Sequence, residues 1–245
     1  MANSITVQLL IITKSRMNPK GNKFKEFLVE LFLPRNAVPV TRWTAAGLWE
    51  LSFLRVLLLT AGIILLGIGS SFTVKSNLGN APWTVLAQGI SIQTGFTLGI
   101  SFFLVSLAVL LLWIPLGLKP GYGTIANTLF FAIGLQTGIE YIPNPSNTFV
   151  SYVLLLLGIF ITGSGGALYI TCGLGTGPRD GIMLGFLGKS RLPITVVRGS
   201  IEIVVLIIGF ALGGQVGIGT VIIALLIGRS FAFWFKYFAK FPPRV

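Results

Sequence analysis

The sequence predicts an all-α polytopic membrane protein made of two inverted repeats, each with three transmembrane helices and one short re-entrant or interfacial helix. Three observations predict it. Of the 245 residues, 53% are hydrophobic and only 10% charged, with a mean hydropathy of +0.89, more apolar surface than a water-soluble core of this size hides. A constant offset of 96 residues superposes Gly62 on Gly158, Gly67 on Gly163, Gly69 on Gly165, Gly79 on Gly175, Pro82 on Pro178, Gly117 on Gly213, Gly121 on Gly217, Gly123 on Gly219 and Thr124 on Thr220. Leucine matches arise cheaply in apolar sequence, but ordered glycine and proline matches at one offset report a shared backbone path. Finally, the apolar runs recur in the same order of long, short, long, long in both copies.

Residues 1–50 read as a cytoplasmic arm. Their first 13 residues are apolar with no charge before them and are followed by Lys14 and Arg16, the wrong charge order for a cleaved signal peptide. Phe24, Phe27, Leu28, Leu31 and Phe32 then recur at helical spacing beside Lys20, Lys23 and Lys25. That pattern suits a helix lying on an anionic membrane surface or packed on the membrane domain. The first repeat, 53–142, holds runs at 53–74, 97–116 and 123–142 with a short segment at 83–94. Pro143, Asn144 and Pro145 break the chain. The second repeat, 149–239, holds runs at 149–171, 193–212 and 219–239 with a short segment at 179–190.

A run of about 20 residues makes roughly 30 Å of helix, the thickness of the hydrocarbon core, whereas about 12 residues make roughly 18 Å. Six spans result, and the odd number per copy inverts the second. Charge agrees. With the N-terminus inside, Arg55 and the earlier basic residues, Lys119, Arg179, Lys189, Arg191, Lys236, Lys240 and Arg244 all fall on the cytoplasmic side and Lys75 alone falls outside. An alternative of eight spans in parallel repeats places Lys75, Lys119 and Arg179 outside and fits the charges less well. Trp43, Trp49, Trp83 and Tyr141, near span ends, are expected as interfacial anchors. The small residues Gly62, Gly67, Gly69, Gly158, Gly163, Ser164, Gly165 and Gly166 are expected at close helix contacts.

Several classes of chemistry begin from a poor position. There is no histidine, and the single Cys172 makes no internal disulfide, so no metal site, cofactor or catalytic triad is expected. The net charge of +12 sits in the arm, the loops and the C-terminus without a base-stacking module, which argues against nucleic acid. The glycine-rich GGQVGIGT stretch follows no strand and precedes no Lys-Ser/Thr pair, so it reads as a tight interhelical turn and not a phosphate loop. No nucleophile and base pair up in the spans, and an enzyme is not expected.

The stretches LGNAPWTVLAQG at 78–89, LGTGPRDGIMLG at 174–185, RGSIEIVVLIIGFALGG at 198–214 and VGIGT at 216–220 resemble the bacterial YczE/YyaS/YitT membrane-protein family. The likeness covers roughly residues 53–235 and implies a fold with little assigned chemistry. In that family the first copy often carries an acid where this chain has Thr84, so here only the second copy keeps the carboxylate, as Asp180. Arg229 stands where the resemblance implies a proline or a small residue.

Two sets of candidate site residues follow. Charges inside a membrane are costly and face a partner or a water-filled cavity. Arg198 and Glu202 lie one helical turn apart. Arg229, at equal depth on the next antiparallel span, would share Glu202 as acceptor; the group is read either as a substrate or ion site or as an interhelical clamp. The second set is the matching turns Gly79, Pro82 and Trp83 and Gly175 and Pro178, followed by Arg179 and Asp180. Interrupted helices in matching positions of two halves point to a transporter site whose helix N-termini favour anions. The expected function is a small secondary transporter or permease of the inner membrane, for an anionic or zwitterionic solute. The alternative is a non-transporting scaffold whose arm, residues 14–43, recruits anionic lipid or a cytoplasmic partner. The lipid bilayer is the expected partner in either case, and a homo-oligomer is compatible with both.

Overall fold

The structure, a computed structural model, describes residues 38–189 and 193–243. The expected amphipathic helix around Phe24 to Phe32, and Arg191 and Arg244, lie outside the described residues. Those described are helical, with no strand among them: α1 (Phe53–Lys75), α2 (Pro82–Thr94), α3 (Leu98–Leu111), continued by the single turn α4 (Trp113–Leu116), α5 (Tyr122–Tyr141), α6 (Thr148–Thr171), α7 (Pro178–Lys189), α8 (Ile194–Ala211) and α9 (Ile218–Phe238). Local chemistry sets the ends. The side chains of Ser52, Thr97 and Asn147 accept from the third residue beyond them at the starts of α1, α3 and α6. Pro82 opens α2 and Pro178 opens α7, where the missing N–H costs nothing.

Among the described residues, four helices are long and apolar enough to cross a membrane: α1, α3 with α4 (Leu98–Leu116), α6 and α9. Polar residues also lie on the other two long helices. The 20-residue α5 buries Thr124, Asn127 and Thr128, and the 18-residue α8 holds Arg198 and Glu202. The short helices, with 13 residues in α2 and 12 in α7, match the two short segments of the sequence. Neither lies apart from the bundle: α2 packs on α3 and α8, and α7 on α3, α4 and α8.

Glycine brings α1 and α6 together along their length. A Cβ added to Gly62 would sit 2.9 Å from the Gly165 carbonyl and the Tyr169 amide, and one added to Gly158 would sit 2.8 Å from the Gly69 carbonyl. Gly69 likewise meets Thr162, and Gly165 meets Leu66. As numbers rise in one helix they fall in the other, so α1 and α6 run antiparallel. The close contacts expected of these small residues are present. Around this pair, α5 packs on α1 and α9 on α6.

Contacts at the turns also come in matched pairs. The Gly123 amide donates to the Leu174 carbonyl at 2.8 Å, and the Gly219 amide donates to the Leu78 carbonyl at 2.7 Å. The two bonds are related by the 96-residue offset in both partners, and each joins one half of the chain to the other. Gly79 and Gly175 both have left-handed backbones, with φ of 110° and 121°. Each turn presses on the opposite copy, Gly79 on Gly217 and Thr220, and Gly175 on Gly121 and Thr124.

Residues 41–45 of the expected arm are built into the membrane domain. Trp43, 6% exposed, donates to the Thr171 hydroxyl at 3.1 Å and packs on Phe238 and Phe241. The Ala45 amide bonds the Cys172 carbonyl and the Arg42 amide bonds the Phe241 carbonyl. Arg55 Nε donates to the Trp43 carbonyl, and Arg55 also pairs with Glu50 at 2.7 Å, holding that carboxyl below its usual range. Trp43 is therefore a buried plug and not the interfacial anchor its position suggested; its indole found partners on α6 and α9 that lie far along the chain. Trp49 and Tyr141 are exposed.

Substituting Gly165→Ala places a methyl on the α1 backbone and should lower stability by about 1–3 kcal/mol. Gly228→Ala, with nothing within 4 Å of the new methyl, should be neutral or stabilising by up to about 1 kcal/mol. Thermal unfolding of the two variants in the same detergent checks the contrast.

Candidate functional site

The first turn of α7 is held from behind. Trp113 in α4 donates its Nε1–H to the Pro178 carbonyl at 3.0 Å, and its ring fills the space beside Gly181 where a side chain would stand. The Thr124 hydroxyl donates to the Thr176 carbonyl at 2.7 Å. With the turn fixed, Arg179 lays its guanidinium 5.2 Å from the Phe102 ring centroid and 5.3 Å from that of Phe131. Those two rings stack on each other at 4.2 Å. Cation–π attraction of this kind places a guanidinium inside an apolar bundle.

Arg179 and Asp180 then face Arg198, Ile201 and Glu202 of α8, with Trp83 from α2 and Met183 from α7 closing a narrow cleft. The cleft encloses about 20 Å³, room for one water. Within it Arg198 Nε donates to Glu202 Oε1 at 2.8 Å, the i, i+4 pair that their spacing predicts. Asp180, in the first turn of α7, makes no ion pair among the described residues. At about 1.5 Å per residue, Glu202 stands roughly 12 Å along α8 from Ile194. The cleft therefore draws on the N-terminal parts of both short helices and on the charged face of α8.

Four of the five charged candidates thus meet, together with Trp83, whereas Arg229 does not join them. It is exposed on α9, on the same face as Leu225 and Phe233, and Glu202 has Arg198 as its cation. The expectation that α9 lies antiparallel beside α8 is corrected, since α9 packs on α6 instead. The turn between them explains it. Gly213 has a left-handed backbone, the Gln215 amide bonds Gln88 Oε1, the Asn80 amide bonds the Gln215 carbonyl, and Gly219 bonds Leu78. These bonds pin the turn to the start of α2 and steer α9 away from α8.

Trp83, 9% exposed, lines the cleft and is not an interfacial anchor, because α2 enters the bundle and takes its first turn inside. Gly79, Pro82, Gly175 and Pro178 form the turns expected of them. Phe102, Phe131, Trp113 and Met183 escaped the sequence reading. Phe102 carried the one available signal, as the residue 96 positions before Arg198. The same offset relates Arg179 on Phe102 to Trp83 beside Arg198, so the cation and the aromatic exchange places between the copies.

Residues 53–236 match a family of unknown function, DUF6198. An uncharacterized protein of Haemophilus influenzae is 44% identical over 205 residues, 84% of this chain and 94% of that protein. The uncharacterized membrane protein YczE of Bacillus subtilis is 29% identical over 176 residues, 71% of this chain and 81% of its own length. The uncharacterized protein YyaS of the same organism is 27% identical over 171 residues, 68% and 85%. No solved structure matches the chain.

Trp113→Phe leaves the buried Pro178 carbonyl without its donor and withdraws the outer indole ring from beside Gly181. A loss of about 1–3 kcal/mol is expected, read as a lower unfolding midpoint, with proteolytic nicking rising first around α7.

Proposed function

The chain belongs to the family of unknown function DUF6198, and for this member we propose a small secondary transporter or permease of the cell membrane. Its two three-span halves are inverted, and its site is the cleft of Arg179, Asp180, Arg198, Glu202 and Trp83. The observation that carries the proposal is the meeting, at one cleft, of both short helices with paired charges of both signs. A carboxylate of the solute would face the arginines. A solute ammonium would face Asp180 and Glu202, with the Trp83 ring beside it. The class taken is an anionic or zwitterionic solute.

Inversion is supported by three observations. The mates α1 and α6 run antiparallel, which calls for a two-fold axis across the helices and so in the plane of the membrane. Each short helix packs on the third helix of the other copy, α2 on α8 and α7 on α3. The bonds Gly123 to Leu174 and Gly219 to Leu78 are exchanged by the same operation. In this reading α5 and α8 also span, six spans in all, with the short helices re-entrant.

Orientation rests on charge. One end of the bundle carries Arg42, Arg55, Lys236 and Lys240 around the Trp43 plug and Lys119 at the α4–α5 turn, while Lys75 sits at the other end, 3.3 Å from Asn144. The positive end faces the cytoplasm, together with both termini. A Lys119→Cys protein should therefore react with an impermeant maleimide only after the membrane is opened. Labelling of intact cells would reverse the assignment.

A cleft of about 20 Å³ holds a water and no solute, so transport requires α7 and α8 to separate and Arg198 to exchange Glu202 for the solute. The closed Arg198–Glu202 pair favours a second reading, a structural clamp in a non-transporting scaffold that serves an anionic lipid or cytoplasmic partner. Proteoliposomes screened with small carboxylates and amino acids separate the two. Flux of at least one solute, lost at least tenfold in Glu202→Gln and in Asp180→Asn with the fold intact, is expected. Absence of flux for every solute, or wild-type flux in both variants, leaves the clamp.

A further inference from the structure

Arg229 is the charged candidate that the cleft leaves unused, and its setting is unusual. It lies midway along the 21-residue α9, a helix long and apolar enough to cross a membrane. That helix packs on α6 through Ile223, Ser230 and Trp234. The Ser230 hydroxyl donates to the Ile159 carbonyl at 3.0 Å and the Trp234 indole to the Phe160 carbonyl at 3.2 Å. At about 100° per residue these three side chains lie on the side of α9 turned away from Arg229. The opposite side is bare, for α9 is the least covered of the four candidate spans, and Arg229 is exposed there. Among the described residues it makes no hydrogen bond, ion pair or ring contact. A guanidinium on the lipid side of a span is costly unless an anion or water meets it.

The rest of the stripe shows what kind of anion fits. Phe233, Lys236 and Lys240 follow Arg229 at helical spacing and are exposed. Lys240 Nζ stands 5.6 Å from the Tyr237 ring centroid, and Lys236 has no partner among the described residues. Lys236 comes roughly 10 Å after Arg229 along the axis, at the basic end of the bundle. In the other direction the stripe continues through the exposed Leu225 and Ile218. Cations toward one membrane surface and bare apolar side chains toward the midplane match the profile of one anionic phospholipid laid along the helix.

Three other accounts fail. The excess of positive charge on the cytoplasmic side explains Lys236 and Lys240, which lie at the end of the span, but not Arg229 about two turns inside it. Folding does not call for a cation there. The residues 96 positions before Arg229, Phe233, Lys236 and Lys240 are Ile133, Thr137, Glu140 and Asn144, so the matching exposed position of α5 carries isoleucine. Nor does a second copy of the chain supply the anion. Of the described acids, Glu50 pairs with Arg55, Glu202 pairs with Arg198, Asp180 lines the cleft and Glu140 stands near the Lys75 end. Two copies meeting symmetrically on this face of α9 would set like charges against each other.

We infer that the outward stripe of α9 binds one anionic phospholipid, its phosphate held between Arg229 and Lys236 and its chains lying against Phe233 and Leu225. The long arginine stem carries the guanidinium toward the headgroup layer, where its planar fork meets two phosphate oxygens and the lysine ammonium a third. A zwitterionic lipid offers the same phosphate with a cation of its own, which Lys236 and Lys240 repel, so the selection is by net charge. With the basic end of the bundle facing the cytoplasm, the lipid belongs to the cytoplasmic leaflet. The site is separate from the cleft and binds whether or not the cleft transports.

The test uses the full-length protein, delipidated in a neutral detergent and titrated with phosphatidylglycerol or with phosphatidylcholine of the same acyl chains. Bound lipids are counted by native mass spectrometry and the unfolding midpoint is followed in parallel. One phosphatidylglycerol per chain, held at least tenfold more tightly than phosphatidylcholine, is expected, with a raised midpoint. Arg229→Ile, which installs the residue of the first copy, should erase that preference, Arg229→Lys should retain it, and Lys236→Gln should weaken it at least threefold. Should Arg229→Ile fail to fold, Arg229→Gln decides in its place. Equal binding of the two lipids overturns the inference. So does a preference that survives Arg229→Ile, including one that is lost instead when Lys20, Lys23 and Lys25 of the arm are changed to glutamine. A dimer that forms without lipid and is lost in Arg229→Ile overturns it too, since a second copy then covers the face. Glu202→Gln should bind phosphatidylglycerol as the wild type does even where it abolishes solute flux, so this inference and the transport proposal fail separately.

Discussion

The close approach of α1 and α6 is the constraint on which the rest of the structure depends. Lipid offers helices no hydrophobic reason to associate, so contact must come from packing and from backbones that come near one another. Gly62, Gly69, Gly158 and Gly165 supply that nearness by offering no side chain. Once the pair is set, α5 packs on α1 and α9 on α6, and the short helices lodge between α3 and α8. The cleft is what remains between α7, α8 and the first turn of α2.

Backbone features recur along the chain where charge does not. Helix boundaries, left-handed turns and the two inter-copy amide bonds repeat at 96 residues, whereas charge does not. Phe102 and Ser106 stand in the first copy where Arg198 and Glu202 stand in the second, and Thr84 stands where Asp180 does. Lipid tolerates few charges, and one cleft with its ions partly paired costs less than two. The apolar mates of the charged residues are also used, since Phe102 becomes the platform on which Arg179 rests.

The helical order, the two short helices, the turns and the Arg198–Glu202 pair were legible because each depends on local spacing or on glycine and proline, which leave marks in one dimension. Four charged residues of the cleft were legible because charge is rare in apolar sequence. The neighbours of α9 were not, for the bonds that steer it run from Gln215 to Gln88 and to Asn80, ordinary polar residues at no special spacing. That is why Arg229 was placed with Glu202. Trp43 and Trp83 were misplaced because a tryptophan near a span end serves equally as an anchor or a plug, and only tertiary contacts tell them apart.

The reciprocal bonds between copies bear on how the chain is made. The Leu78 carbonyl is synthesised long before the Gly219 amide that satisfies it, and Trp43 emerges before Thr171, Phe238 and Phe241. A first half alone therefore holds a backbone carbonyl and an indole whose partners have not yet been made. It is a surface awaiting its complement. Two halves made as separate chains would carry the same complementary edges, so the covalent link at Pro143 to Pro145 sets the order of assembly more than its outcome.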